Sequence, residues 1–321
     1  MSSLSNLTGL IVVQESPSEP LKQYYSHSTG MDPSWPEMNK NNYLDNEIVA
    51  SIDAFICSFP ASMCQLWTPL NKTIIFLPAY RYNLGRCTEA EWRELDNLLF
   101  KLASSKPDRG NTIAAASRYD LEYLKYYTGL NPTLISSFSD FYIDNQNYKP
   151  VEKQFLIFGH SQYFDTNVKA TLQPEIDAVQ VHEKYPFYTS RDIAQHTAII
   201  ILPYSVMSYT TTELYALTIP MFIPSPKIYM KFYDPNSQQY GIGWDRTSTT
   251  GPYCSGVPKL EEQMRPLSNA TNTIHVYSPN IDFLQDAESE QYWLQYSDFY
   301  DWPHIQYVDS YEYLRRMLLQ S

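Results

Sequence analysis

Four hydroxyl side chains, Ser208, Thr210, Thr211 and Thr212, crowd one short stretch of the chain and are followed at once by Glu213. They lie between the apolar run Ala198–Leu202 and the return run Met221–Ile223, an order that reads as buried strand, turn, short helix and second strand. A helix start leaves backbone N–H groups without intrahelical partners, so an anion such as phosphate finds donors converging there. Glu213, one turn in, has the chemistry to hold the hydroxyls of a sugar attached to that phosphate. The same letters also satisfy a local pattern, because Thr210 followed three residues later by Glu213 fits a capping box in which the carboxylate reaches back to the cap residue's N–H.

The elements that must position this turn alternate along the chain. In the first half, strands are predicted at Leu10–Val13, Ala54–Phe59, Thr73–Leu77, Thr112–Ala116 and Thr133–Ser136. Helices are predicted at Ala61–Trp67, Thr88–Ala103 and Tyr119–Thr128. Thr88 is the expected cap of the second helix, with Glu89 and Glu91 in its first turn, and Gly129 the expected stop of the third. The second half restarts the pattern, with strands at Phe155–Phe158, Ala178–Val181, Ala198–Leu202, Met221–Ile223, Ile274–Tyr277 and Ile305–Val308. Its helices are expected at Thr166–Leu172, Thr189–His196, Thr211–Leu217, Asp286–Tyr296 and Tyr311–Leu319. Such alternation is the signature of parallel α/β architecture.

The 321 residues suit two domains. The expected division is an N-terminal domain over 1–140 and a C-terminal domain over 150–321, joined through the polar stretch 139–153. Residues 17–46 and 234–272, rich in Pro, Ser, Thr and Asn, read as long surface loops, and the first of these leaves the first domain the smaller.

Composition narrows the chemistry. With 43% hydrophobic and 15% aromatic residues the chain builds real cores, and its 10 glycines argue against a glycine-rich phosphate cradle. A formal net charge of -12 repels nucleic acid and anionic membrane surfaces, and no apolar run approaches the roughly 20 residues of a membrane helix. The six histidines are scattered without His-Glu-x-x-His spacing. There is no Gly-x-Ser-x-Gly elbow, Walker loop or Asp-x-Asp pair, and Gly241-Ile-Gly243 follows no strand. Cys57, Cys64, Cys87 and Cys254 lack Cys-x-x-Cys spacing and are expected to be buried free thiols. Three triplets, Asn6-Leu-Thr8, Asn71-Lys-Thr73 and Asn269-Ala-Thr271, have the form of glycosylation acceptors, which matter only in a secretory lumen. As written the chain carries no export signal and reads as cytoplasmic; a lost upstream anchor would instead place it in that lumen.

Two successive α/β domains, with Tyr204–Ser225 in the second, resemble the glycosyltransferases of the two-Rossmann-domain (GT-B) class. The resemblance covers about residues 155–225. It implies two Rossmann-like domains facing a cleft, with the second binding a nucleotide sugar. Ser208, Tyr209, Thr210 and Thr211 would then form the phosphate turn, and Glu213 would hold the ribose. Ala216-Leu217-Thr218-Ile219-Pro220-Met221-Phe222 matches the class's helix exit, proline and return strand, with Ile219 where that class commonly has Gly.

Gly159, His160 and Ser161 end the first strand of the second domain, at the carboxyl edge where ligands gather in parallel sheets. His160 is a candidate phosphate or hydroxyl partner, or else a structural histidine. Lys184 and Arg191 are candidate partners for diphosphate charge, or else solvated side chains. In the first domain, Arg81 and Arg86 follow the strand Thr73–Leu77 and are expected to emerge at its carboxyl end, where arginine binds phosphate bidentately. Ser58, Ser62, Arg118 and Asp120 stand at comparable turns, the last two as a local capping pair or as site residues. The expected function is metal-independent transfer of a sugar from a nucleotide diphosphate sugar to a glycan or other hydroxyl acceptor, with Arg81, Arg86 and His160 stabilising the departing diphosphate. Asp53, Glu15 and His160 are the candidate general bases. A nucleotide-sugar epimerase and a non-catalytic carbohydrate-binding protein remain the alternatives. No cofactor beyond the donor substrate is expected.

Overall fold

The computed structural model describes residues 34–229 and 287–320, apart from 59, 80, 85, 87, 106–109, 138, 140–142, 144–146, 160–167 and 204–207. The described residues form two compact units that divide after Ser136. Each is an α/β unit built on a parallel sheet.

In the first unit β1 (Ala54–Cys57), β2 (Thr73–Phe76), β3 (Thr112–Ala115) and β4 (Thr133–Leu134) pair in chain order, all parallel. Right-handed crossovers that always step in one direction put their connecting helices on one face of the sheet. Burial follows that rule at β1, where Phe55 and Cys57 are buried while Ile56, pointing the other way, is 56% exposed. Helix α1 (Glu89–Ala103) begins on the expected cap Thr88, which also forms a capping box with Glu91, and helix α2 (Arg118–Thr128) ends on Gly129 at φ 70°. Their buried faces meet through aromatic rings, Trp92 against Tyr127 at 5.0 Å, and Tyr123 packs on Tyr127 within α2, also at 5.0 Å.

Two expectations for this unit are corrected. Part of the stretch 17–46 read as loop is helical, at Trp35–Leu44, and a second short helix, Glu47–Ser51, follows it. Pro36 is tolerated there because it occupies the first turn, where an N–H would have no partner. Trp35 and Tyr43 anchor the first of these helices to a cluster containing Val49, Phe55, Met63 and Leu66. The cysteines of β1 and the following turn are not free thiols: Cys57 and Cys64 are joined in a disulfide with Cα atoms 5.6 Å apart, because the strand-to-helix reversal brings them within bridging range.

In the second unit β5 (Glu152–Phe158), β6 (Ala178–Gln180), β7 (His196–Ile201), β8 (Met221–Pro224) and β9 (Gln306–Val308) form a parallel sheet in the order β6-β5-β7-β8-β9. Its central strands are continuous apolar runs because both faces are covered. Leu156, Phe158, Ile199 and Ile201 pack in one cluster with Leu214, Leu217 and Phe299. Phe155, Ile157, Ala198 and Ile200 pack in another with Val168, Leu172, Leu314 and Leu318. The stretch read as a linker belongs to this unit: Ile143 joins its core, the Tyr148 hydroxyl donates to the Thr197 carbonyl at 2.6 Å, and Val151 N–H donates to the Gln195 carbonyl. No described helix is long and apolar enough to cross a membrane. The predicted strands Leu10–Val13 and Ile274–Tyr277 and the loop 234–272 lie outside the described residues.

Candidate functional site

In parallel α/β sheets ligands gather outside the carboxyl ends of the strands where the strand order reverses. Counted within the second unit the order runs 2-1-3-4-5, so successive connections leave β5 and β7 in opposite directions and the reversal lies between these two strands. Gly159 directly follows β5, and helix α3 (Tyr209–Ala216) follows β7, so the segments singled out in the sequence flank this reversal. His160 and Ser161 lie outside the described residues.

Helix α3 starts differently from the capping box that its letters allow. Ser208 is the cap residue, which places Thr210 inside the helix, so the Thr210–Glu213 box does not form. The Ser208 side chain makes no cap hydrogen bond either, whereas Thr88, Ser117 and Thr189 each accept one from the third N–H of their own helix. The start of α3 therefore lacks a cap from the side chain of its own cap residue.

The hydroxyls divide between two roles. Thr211 and Thr212 lie on the buried side of α3 with Leu214. The Thr212 hydroxyl donates to the Tyr209 carbonyl at 2.7 Å and accepts from the Ser139 hydroxyl at 2.9 Å, so it holds the helix in place. Ser208 is 9% exposed. The outward side carries Tyr209, which is exposed, together with Thr210 and Glu213, both half-buried. Tyr209 and Glu213 are one helical turn apart and share a face. The Glu213 carboxylate has no hydrogen-bond or ion-pair partner among the described residues, and its burial raises its pKa above the usual glutamate value. A half-buried carboxylate in that condition suits hydroxyl donors, which restore the solvation it has lost.

The other candidates of this unit point elsewhere. The Lys184 ammonium donates to Gln154 Oε1 at 2.7 Å and pairs with Glu152 at 3.4 Å, on the amino half of β5. Arg191 is exposed on a helix that leads into the amino end of β7. Neither reaches the carboxyl edge. His196, not singled out in the sequence, is buried at that amino end with Nε2 3.0 Å from the Tyr185 hydroxyl and Nδ1 3.3 Å from the Gln154 carbonyl. Burial, followed by the charge of Lys184, lowers its pKa. A separate pocket lined by Val168, Ile200, Leu202, Phe222, Val308 and Leu314 is apolar on all these sides and offers a diphosphate nothing.

In the first unit, Arg81 and Arg86 do follow β2, but they do not emerge. They are 5% and 1% exposed. Arg81 Nη2 donates to the Tyr119 hydroxyl at 3.2 Å and its guanidinium lies 5.0 Å from the Tyr123 ring centroid. Arg86 Nη2 donates to Gln65 Oε1 at 2.9 Å. Both are thus built into the packing of the helices that follow the strands. Asn83, between them in sequence, is fully buried with neither amide atom hydrogen-bonded among the described residues, and the buried Ser62 hydroxyl is likewise without a partner among them. Ser117 caps α2 by accepting from Asp120 N–H at 2.9 Å and donating to Asp120 Oδ2 at 2.6 Å, so Asp120 serves that helix start. Ser58 contributes its carbonyl to the Ala79 N–H. Asp53 precedes β1 and is exposed at the amino edge of the sheet, opposite the edge where Arg81 and Ser117 sit. Glu15 lies outside the described residues.

Comparison of the chain with protein-family models, with curated proteins and with solved structures found no match in any of the three.

Proposed function

We propose that this chain transfers a sugar from a nucleotide diphosphate sugar to a hydroxyl acceptor, as a glycosyltransferase of the two-Rossmann-domain class whose second unit holds the donor. One observation carries the reading: Glu213, half-buried and without a partner among the described residues, stands on the outward face of a helix whose cap residue Ser208 makes no side-chain cap bond, beside the strand-order reversal of a parallel sheet. In this reading the diphosphate accepts hydrogen bonds from the N–H groups of residues 210 and 211 and from the Thr210 hydroxyl, and Glu213 accepts those of the ribose hydroxyls. Gly159, directly after β5, borders the donor. Positive dipoles at the helix start stabilise charge on the departing diphosphate. Arg81 and Arg86 shape the first unit by packing and hold no phosphate in this scheme, and the general base is left to His160.

The test is calorimetric titration with UDP, GDP, ADP and CMP, and with their sugar conjugates, on the native chain and on Glu213→Gln. One nucleotide is expected to bind, and Glu213→Gln to weaken it at least tenfold, the cost of about one charge-assisted hydrogen bond. No binding by any nucleotide, or unchanged affinity in the variant, overturns the assignment. Isomerised nucleotide sugar formed without acceptor would assign an epimerase instead, and glycan binding without nucleotide binding a carbohydrate-binding protein.

A further inference from the structure

We infer that Asn71 is a glycan attachment site, the acceptor of an N-linked oligosaccharide in an oxidising secretory compartment. Two independent observations in the first unit meet here. The first is the acceptor itself. Asn71-Lys72-Thr73 is a glycosylation triplet, and Asn71 sits in the turn between the 3-10 helix Thr68–Leu70 and β2, exposed to solvent, in left-handed conformation at φ 54°. Its side-chain amide has no hydrogen-bond partner among the described residues. Lys72 turns away to donate to the Ala50 carbonyl at 3.2 Å, and Thr73 opens the strand. The triplet therefore presents its asparagine outward on a rigid base, and a bulky substituent there meets solvent.

The second observation is the Cys57–Cys64 disulfide, seven residues before the triplet. Such bonds form and persist where the medium is oxidising and are rare where thiols are kept reduced. The compartment in which this bond forms is the one in which oligosaccharide is transferred to asparagine. Geometry adds a reason for tolerance: the amino edge of the parallel sheet carries Asn71, whereas the carboxyl edge carries Arg81, Asn83 and Ser117, so a glycan stands clear of that buried polar cluster.

The transfer balances without a redox partner. The Asn71 Nδ2 atom forms a bond to the anomeric carbon of a lipid diphosphate-linked oligosaccharide. The anomeric C–O bond breaks with its electron pair leaving on the lipid diphosphate, and the amide gives one proton to a base of the transferring enzyme.

The experiment directs the full chain into the secretory pathway of a eukaryotic host and maps its peptides under non-reducing conditions, before and after enzymatic deglycosylation. The peptide containing Asn71 is expected to carry glycan, released with conversion of that asparagine to aspartate, in molecules that also contain the Cys57–Cys64 bridge. Thr73→Ser should retain the glycan and Thr73→Ala should lose it. Asn71→Gly, which suits the left-handed turn and so preserves the fold, should remove the acceptor while leaving the melting temperature of deglycosylated protein unchanged. An unmodified Asn71 in the secreted protein overturns the inference whatever the state of the cysteines, and so does a glycan retained in Thr73→Ala.

Discussion

The Ser139 hydroxyl donates to the Thr212 hydroxyl at 2.9 Å, joining two residues 73 positions apart. Thr212 passes the bond on to the Tyr209 carbonyl, so the first turn of α3 is held by a chain of hydroxyls from its buried side. Removing either end should loosen that turn. Ser139→Ala and Thr212→Val are each expected to cost about 1 kcal/mol, and a double-mutant cycle read by denaturant unfolding should show that the two losses are not additive. Additive losses would mean that the bond contributes nothing.

Glu213 gives a pH signature to donor binding. Its pKa is raised by burial, and a ligand that donates hydrogen bonds to the carboxylate favours the ionised form. Nucleotide affinity is therefore expected to be full at neutral pH and to fall as pH drops through the raised value, with proton release on binding in that window. Calorimetry in buffers of different ionisation enthalpy measures this release, and Glu213→Gln should abolish it.

Asp96 makes the opposite contribution to stability. Burial raises its pKa to about 6 from 3.8, against the opposing bonds from the Tyr82 hydroxyl and Arg93. A folded value above the unfolded one means that the folded state binds the proton more tightly, so this stabilisation is complete below pH 3.8 and is lost as pH rises to about 6. The change amounts to about 3 kcal/mol, and Asp96→Asn is expected to remove it from a pH series of unfolding curves. His196 works the other way. Its lowered pKa means that stability is full above the ordinary histidine value of 6.5 and falls as pH drops below it, a slope that His196→Phe should eliminate.

Thr218 follows α3 with φ 59°, a left-handed conformation that a β-branched side chain resists. Thr218→Gly is expected to stabilise the chain by about 1 kcal/mol, measured as a rise in melting temperature. The glycine expected before Pro220 in the resembling class is not needed at Ile219, which is buried in the core; the conformational demand falls one residue earlier.

The bond between Cys57 and Cys64 closes a short loop, so Cys57→Ser with Cys64→Ser, or chemical reduction, should cost about 2 kcal/mol of stability. Thermal unfolding with and without reductant checks this.

What the sequence discloses depends on how local the cause is. β5 and β7 are legible because Phe155–Phe158 and Ala198–Leu202 are unbroken apolar runs, and the start of α1 and the end of α2 are legible because Thr88, Glu91 and Gly129 act on their own neighbours. The helix Trp35–Leu44 is hidden because it has no apolar stripe. Trp35 and Tyr43 hold it, and Tyr43 packs edge-on against Trp67 at 5.5 Å. The burial of Arg81 and Arg86 is hidden for the same reason, since Tyr119 and Gln65 lie 38 and 21 positions away. The strand order beside the candidate site is hidden too, since the same alternation gives consecutive order in the first unit and 2-1-3-4-5 in the second. So is the division of its hydroxyls, because Ser139 reaches Thr212 from far along the chain.

The seating of β5 bears on how the second unit is made. This strand leaves the ribosome first among its five yet occupies an inner place, bonded to β6 on one side and β7 on the other. Until His196–Ile201 has been synthesised, Phe155–Phe158 has an open flank, and every later strand builds outward from that junction. Assembly must wait for a partner some forty residues downstream, which makes nascent chains stalled before residue 196 the ones most in need of a chaperone.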